Sequence, residues 1–377
     1  MRHKRHPWIF SGAVQEVRGQ AEPGELWEVV SAEGRTVGWG FYSAGSQIAL
    51  RLVGFGQRKP DADWLHSRIV AAWDLRKRMA LDSDAFRLVN AEGDFIPGVV
   101  VDVYAGTAVV QAHVRGAEGL VDRIGQSLSG LLPGTAVYFK RDEHYARVEG
   151  LTRPSGYIAG SGDGTTVIRE ADARMIVDFG HGQKTGFYLD QRENRQLVAQ
   201  HARGRVVLNL FSYTGGFAMR CALSGAAKVV SVESSAAAVE LSQKSAELNP
   251  SIDPAVLEFR REDVFEFLQG AREKFGIVVL DPPPFARRSA EVEGAVRGYL
   301  SLNEQALRLL SPGGLLFTFS CSGAVDRETF RGLLMEAAYR SGRSVRFLRE
   351  LHADVDHPVA STHPEGEYLK GWVLHAE

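Results

Sequence analysis

Cysteine is almost missing from this chain, which holds two thiols, Cys221 and Cys321, in 377 residues. That scarcity excludes a disulfide framework and fits a reducing compartment, so a cytoplasmic protein is expected. Long hydrophobic runs are missing too. None approaches the ~20 residues of a membrane span, and the basic N-terminus leads into no apolar segment, so neither membrane association nor a secretion signal is expected. Net charge is small, at −2, which argues against a general basic coat for nucleic acid but leaves room for a local basic face. His357-Pro358 and His363-Pro364-Glu365 lack metal-ligand spacing, so turn or substrate-loop roles are expected there and no metal. No internal repeat or long low-complexity tract is present.

What is present is apolar content of 44%, enough for large cores in a chain longer than one typical domain. The chain is organised around Val206 to Gly216, VVLNLFSYTGG. Its β-branched apolar run reads as a parallel strand covered on both faces. Gly215 and Gly216 let the backbone approach a ligand, and Phe217 to Leu223 reads as a helix whose free N–H groups face the same point. A second strand, Lys228 to Val232, ends in Glu233, about 20 residues past the turn, where doubly wound folds hold a ribose by its hydroxyls. Leu257 to Arg260 is a third strand with Asp263 beyond it. Gly276 to Leu280 is a fourth, ending in Asp281-Pro282-Pro283-Pro284-Phe285. Leu315 to Ser320 is a fifth, preceded by the turn Ser311 to Gly314 and followed by Cys321-Ser322-Gly323. Helical patterns at Ala236 to Leu248 and Gly294 to Leu310 separate these strands, so an α/β domain with a mainly parallel sheet is expected, its polar candidates at the carboxyl ends of the strands.

Ahead of that domain, Arg2 to Phe10 mixes cations and aromatics, suited either to phosphate contact and base stacking or to a frayed, solvated end. Glu25 to Val30, Thr36 to Tyr42 and Gln47 to Val53 read as short strands of a small β-barrel, with the first domain taken as 1–72. Asp63 to Leu81 reads as an amphipathic helix that uses Trp64, Ile69, Trp73 and Leu75 for packing. A compact α+β module, 73–170, follows, with strands at Phe86 to Val89, Gly98 to Tyr104, Thr107 to Val114 and Thr135 to Lys140 and a helix at Glu118 to Leu131. The acidic residues of its Asn90-Ala91-Glu92-Gly93-Asp94 turn are expected to be solvated. A strand pair, Thr166 to Arg169 and Ala173 to Asp178, leads into the last domain, 171–377. Lys184 to Arg195 is the densest polar cluster. Asp190 and Glu193 there suit a helix N-cap and capping box, while Tyr188, Asp190, Gln191 and Arg192 are alternatively ligand contacts. Cys221, inside a helix, reads as a small buried hydrophobe.

Taken together, LNLFSYTGGF, Glu233, Asp263, the Asp-Pro-Pro stretch and Cys321 resemble the class I S-adenosylmethionine-dependent methyltransferases. GQKTGFYLDQRENR, DPPPF, FSCSG, EGEYLKG and the opening RHPWIFSGAV sharpen this to a resemblance to the bacterial large-subunit ribosomal RNA cytosine-5 methyltransferase family. The resemblance spans nearly the whole chain and implies a Rossmann-like methyltransferase domain, an N-terminal PUA β-barrel and a small central α+β domain. It implies that Phe211, Ser212, Tyr213, Thr214 and Gly215 cradle the methionine part of S-adenosyl-L-methionine. Glu233 would hold the ribose, Asp263 the adenine amine, and Val264 would lie against the ring, with Gln191 and Asp281 also at the cofactor. Cys321 would be the nucleophile and Asp281 the hydrogen-bonding partner of the target base. Pro282, Pro283 and Phe285, with Arg5 and Lys184, would contact the RNA. No second cysteine occupies the Asp-Pro loop, so the base that removes the C5 proton is unassigned. The implied partner is large-subunit ribosomal RNA, and a homodimer is left open. Two rivals remain: methylation of a purine nitrogen, for which Cys321 is incidental, and a non-catalytic RNA-binding assembly factor.

Overall fold

Residues 5–20, 22, 24–285 and 292–377 are described by the computed structural model of the chain; the cationic positions 2–4 lie outside them. Contacts divide the chain into two units. One comprises Met1–Ile168, Val177–Leu189 and Val355–Gly366, the other Arg169–Ile176, Asp190–Asp354 and Glu367–Glu377.

In the first unit, β1 (Trp8–Phe10), β2 (Trp27–Val30), β3 (Thr36–Tyr42) and β4 (Ile48–Phe55) form an antiparallel sheet in the order β1-β4-β3-β2. The helix α1 (Trp64–Met79) buries Leu65, Ile69, Ala72 and Arg76, whereas Leu75, expected in its packing face, is exposed. A second sheet holds β5 (Ala85–Asn90), β6 (Val99–Tyr104), β7 (Thr107–Ala112), β8 (Ala136–Phe139) and β9 (Gly156–Ala159) in sequence order. Its connections carry α2 (Arg115–Glu118), α3 (Val121–Leu131) and α4 (Glu143–Glu149). The acidic turn after β5 is not solvated as expected. Asp94 is buried against Arg76 through two bonds of 2.5 and 2.8 Å, and Glu92 takes the Trp8 indole N–H at 2.7 Å. A buried carboxylate needs such a partner, and nothing local to Arg76 marks it as turning inward. The hairpin β10 (Thr165–Glu170) and β11 (Ala173–Asp178) carries the chain across the unit boundary.

The second unit begins with α5 (Arg192–Ala202) and then alternates strand and helix: β12 (Val206–Leu210), α6 (Gly216–Leu223), β13 (Lys228–Glu233), α7 (Ala236–Glu247), β14 (Leu257–Arg261), α8 (Val264–Gly270), β15 (Phe275–Leu280), α9 (Val292–Leu309) and β16 (Leu310–Ser320). The helix α10 (Arg327–Ser341) and two further strands, β17 (Val345–Leu351) and β18 (Lys370–Ala376), complete it. The seven strands lie in the order β14-β13-β12-β15-β16-β18-β17. Strands β12 to β16 pair in parallel, and β18 enters antiparallel between β16 and β17. The order reverses between β12 and β15, the switch point at whose carboxyl-end crevice such sheets bind ligands. Leu208, Val230, Val278 and Leu316 are fully buried because helices cover both faces of a parallel sheet, which is why these strands read as continuous apolar runs. Among the described residues no helix is long and apolar enough to cross a membrane.

Candidate active site at the strand tips

The turn after β12 is held in a costly conformation. Phe211, Tyr213 and Gly215 have φ of 57°, 47° and 80°, and for the two non-glycine residues the left-handed region costs about 1–2 kcal/mol each. Specific bonds hold it there. Ser212 N–H donates to Val232 O at 3.1 Å, Gly215 N–H to Ser212 O at 2.9 Å, and Tyr213 N–H to Glu233 Oε2 at 3.0 Å. A Cβ at Gly215 would stand 2.1 Å from Ser242 Oγ on α7, so position 215 requires glycine for space as well as for φ. Buried within this unit, Thr214 Oγ1, Ser231 Oγ and Ser242 Oγ have no hydrogen-bond partner among the described residues, as expected of a surface completed by a polar ligand.

Glu233 closes β13. Its Oε1 accepts from Ser235 N–H at 2.8 Å while Oε2 takes Tyr213; an ionised carboxylate has about four acceptor directions, so capacity for a diol remains. Asp263 caps α8, accepting from Phe265 and Glu266 N–H at 2.8 and 3.2 Å through Oδ1. Val264 beside it is 2% exposed. Aromatic contacts run from Phe211 to Phe265, Phe265 to Phe285 and Phe285 to Tyr299, with centroids 6.4, 6.3 and 4.7 Å apart. They join this half of the site to the next. The acidic side chain, the bent glycine turn and the orphaned hydroxyls fit S-adenosylmethionine.

The second half stands on β15 and β16, which pair in register through Leu280 and Thr318. Asp281 and Cys321 therefore leave the carboxyl ends of neighbouring strands, Cys321 two residues further along than the position level with Asp281. Asp281 Oδ2 accepts from Gln191 Nε2 at 2.9 Å. Gln191 is itself fixed by Asn194, whose Nδ2 donates to Gln191 Oε1 at 2.6 Å and to His352 O at 2.9 Å. The half-buried Cys321 thiol points to Pro282 O at 3.9 Å. Ser322 ties the two loops together, its Oγ taking Phe285 N–H at 3.1 Å and meeting the Tyr299 hydroxyl at 2.9 Å. Burial pushes the Tyr299 phenol above its usual range.

Other expected residues are placed differently. The helix α5 starts at Arg192, with Gln191 as N-cap and no side-chain cap bond. Asp190 therefore does not head a capping box; it accepts the Tyr368 hydroxyl at 2.5 Å, and Arg192 pairs with Asp354 at 2.8 Å. Lys184 and Arg5 belong to the first unit and are exposed, Lys184 with Nζ 4.5 Å from the Tyr188 ring centroid. Trp8, with its indole N–H on Glu92 and its ring edge against His363, is committed to packing. Pro282 is buried and Pro283 exposed. Cys221 is fully buried, its thiol pushed up to about 12 by burial. Tyr299, Ser322, Asn194 and Lys370 were not anticipated at the site. Lys370 stands in the EYLKG stretch, but its meaning depends on β18 lying next to β16.

A family model described as S-adenosylmethionine-dependent methyltransferase matches residues 145–365, and one described as PUA-like domain matches residues 2–55. Ribosomal RNA large subunit methyltransferase I of Erwinia tasmaniensis is 39% identical over 376 residues, covering 98% of this chain and 95% of that protein. The protein of the same name from Aeromonas salmonicida is 40% identical over 382 residues, covering 99% and 96%. A solved SAM-dependent methyltransferase from Streptococcus mutans has a TM-score of 0.84 at 23% identity, covering 99% of this chain and 96% of that one. A methyltransferase solved in complex with SAH gives 0.86 at 23% identity, with the same coverage. At that identity the structural likeness shows the fold alone. The sequence matches show more: the chain belongs to the family of S-adenosylmethionine-dependent methyltransferases that includes the proteins named ribosomal RNA large subunit methyltransferase I.

Proposed function

We propose that the chain methylates large-subunit ribosomal RNA, that the product is 5-methylcytosine, and that the reaction passes through a covalent bond between Cys321 and C6 of the base. The observation that carries this reading is the thiol of Cys321 resting on the Asp-Pro loop, 3.9 Å from Pro282 O, on the strand next to Asp281. Carbon 5 of cytosine is too weak a nucleophile to accept a methyl group unaided, so a thiolate first adds to C6 and makes C5 electron-rich. Asp281, held by Gln191, meets the exocyclic amine and ring nitrogen and stabilises the charge that shifts onto the ring. After methylation, the C5 proton leaves to a base, the S–C6 bond breaks and the thiolate is restored.

Phe211, Ser212, Tyr213, Thr214 and Gly215 would hold the methionine end of the cofactor, Glu233 its ribose, Asp263 and Val264 its adenine, with Gln191 and Asp281 beside them. When bound, the cofactor supplies an electrophilic methyl group on sulfonium. The target base must be flipped out or single-stranded to meet Cys321. Pro282, Pro283 and Phe285 would contact it, and Arg5 and Lys184 would meet RNA phosphates. The modules 1–72, 73–170 and 171–377 divide this work between RNA binding and catalysis.

Intact-mass analysis after incubation with cofactor and 5-fluorocytidine-substituted ribosomal RNA tests the reading, because fluorine blocks proton loss and traps the adduct. A protein–RNA adduct with wild type and none with Cys321→Ala is the expected result. Methylation of unsubstituted RNA without any adduct, together with an active Cys321→Ala, would overturn it in favour of a purine nitrogen.

A further inference from the structure

Lys370 opens β18 opposite Ser320 of β16 and is 5% exposed. Its Nζ donates to Ser322 O at 2.8 Å and to Tyr368 O at 2.9 Å. Both acceptors are neutral, and no carboxylate lies within salt-bridge distance of Nζ among the described residues. Burying an ammonium in that way is costly unless a negative charge stands near. The titratable groups around it are Cys321, Asp326 and Arg327, with Tyr299 bonded to the Ser322 hydroxyl and Asp281 at the adjoining strand tip. Burial lowers the Lys370 pKa; ionised Cys321 raises it most, Arg327 opposes and Asp326 assists.

We propose that Lys370 is a positioning residue whose buried ammonium, anchored on the Ser322 carbonyl, is the counter-ion of the Cys321 thiolate. A thiol is the nucleophile only as thiolate, and a neighbouring cation is the ordinary way to favour that form. The bond to Ser322 O also fixes the backbone next to Cys321, while the bond to Tyr368 O holds the lysine to its own segment, so charge and aim come from one side chain. The inference rests on the covalent reading of the site, but it concerns the thiol itself and is tested without RNA.

The test is the pH profile of iodoacetamide alkylation of the full-length protein, read by intact mass, for wild type, Lys370→Met and Lys370→Arg. Cys221 is fully buried in the native chain, so single alkylation reports Cys321. The expected wild-type midpoint lies at least about 1 pH unit below the ordinary ~8.5 of a thiol, Lys370→Met raises it by about 1 unit and slows alkylation at neutral pH about tenfold, and Lys370→Arg retains most of the wild-type rate. An unchanged profile in folded Lys370→Met overturns the proposal, as does a Lys370→Arg profile displaced as far as that of Met, which would make the role one of backbone support alone. Should Lys370→Met not fold, the far-ultraviolet thiolate absorbance of wild type minus Cys321→Ser decides. A midpoint at ~8.5 or above overturns the proposal, and one well below it that Lys370→Arg preserves supports it. Failure of the covalent reading shows separately, as absence of the RNA adduct from a protein whose thiol still titrates low.

Discussion

Cys221 lies inside α6 and Cys321 one residue beyond β16, in the same unit. Around Cys221 burial is the dominant influence and holds the thiol protonated, up to about 12. Around Cys321 there are a carbonyl of the Asp-Pro loop, the carboxylate of the next strand tip and a lysine anchored one residue along. One thiol is walled off from water, with the Arg220 charge a lesser influence, and the other is half-buried among polar groups at the strand tips. The two thiols differ in their surroundings, and the residue type alone sets neither.

The largest expected effect sets the two thiols directly against each other. Cys321→Ala lowers RNA methylation by several orders of magnitude, whereas Cys221→Ala leaves turnover intact and costs about 1 kcal/mol of stability as a small cavity opens. Single-turnover methylation and urea denaturation of both variants measure this, and an inactive, fully stable Cys221→Ala would reverse the comparison. Next comes Gly215→Ala, which combines a strained φ with a clash on Ser242. Cofactor affinity, by equilibrium dialysis, should fall tenfold or more and stability by about 1–2 kcal/mol, while the alkylation profile of Cys321 stays as in wild type.

A smaller effect sharpens the contrast through pH. Burial raises the Cys221 pKa from 9.0 to about 12, so the stabilisation from keeping this thiol neutral is complete below pH 9 and lost as pH rises toward 12. Between those limits wild type should lose about 1.4 kcal/mol per pH unit relative to Cys221→Ala, read from urea midpoints at pH 8, 9 and 10. Parallel curves for the two proteins would show that burial does not govern this thiol. The smallest effect is that of Tyr299→Phe. It deletes the hydroxyl on Ser322, and a loss of about 1 kcal/mol should appear in stability and as a few-fold fall in turnover, with cofactor affinity unchanged.

Much of this is legible in the sequence because the signals are local. The β12 turn, Glu233, Asp281 and Cys321 each follow an apolar strand directly, and parallel pairing places such tips on one edge wherever the strands come in register. What stayed hidden depended on partners far along the chain. Asp190 suits a cap by position, but Tyr368 claims its carboxylate, and Glu92 and Asp94, expected to be solvated in their turn, are met by Trp8 and Arg76. The α10, β17 and β18 segment was not anticipated either. Its strands are polar in part, as in Val345–Leu351, where edge exposure removes the pressure for a continuous apolar run.

The placement of β18 also bears on the order in which the molecule can be assembled. Among the described residues the strand β17 has no neighbour in the sheet except β18, so residues 345–351 have nothing to zip onto until residues 370–376 are in place between them and β16. Such long-range closure is slow compared with helix formation. A chain still emerging from its template can build the β12 turn and its glycine loop first. Only the closing strand brings Lys370 up behind Cys321, so the thiol gains its activating charge last, and an unfinished molecule carries a quieter sulfur among the electrophiles of the cell.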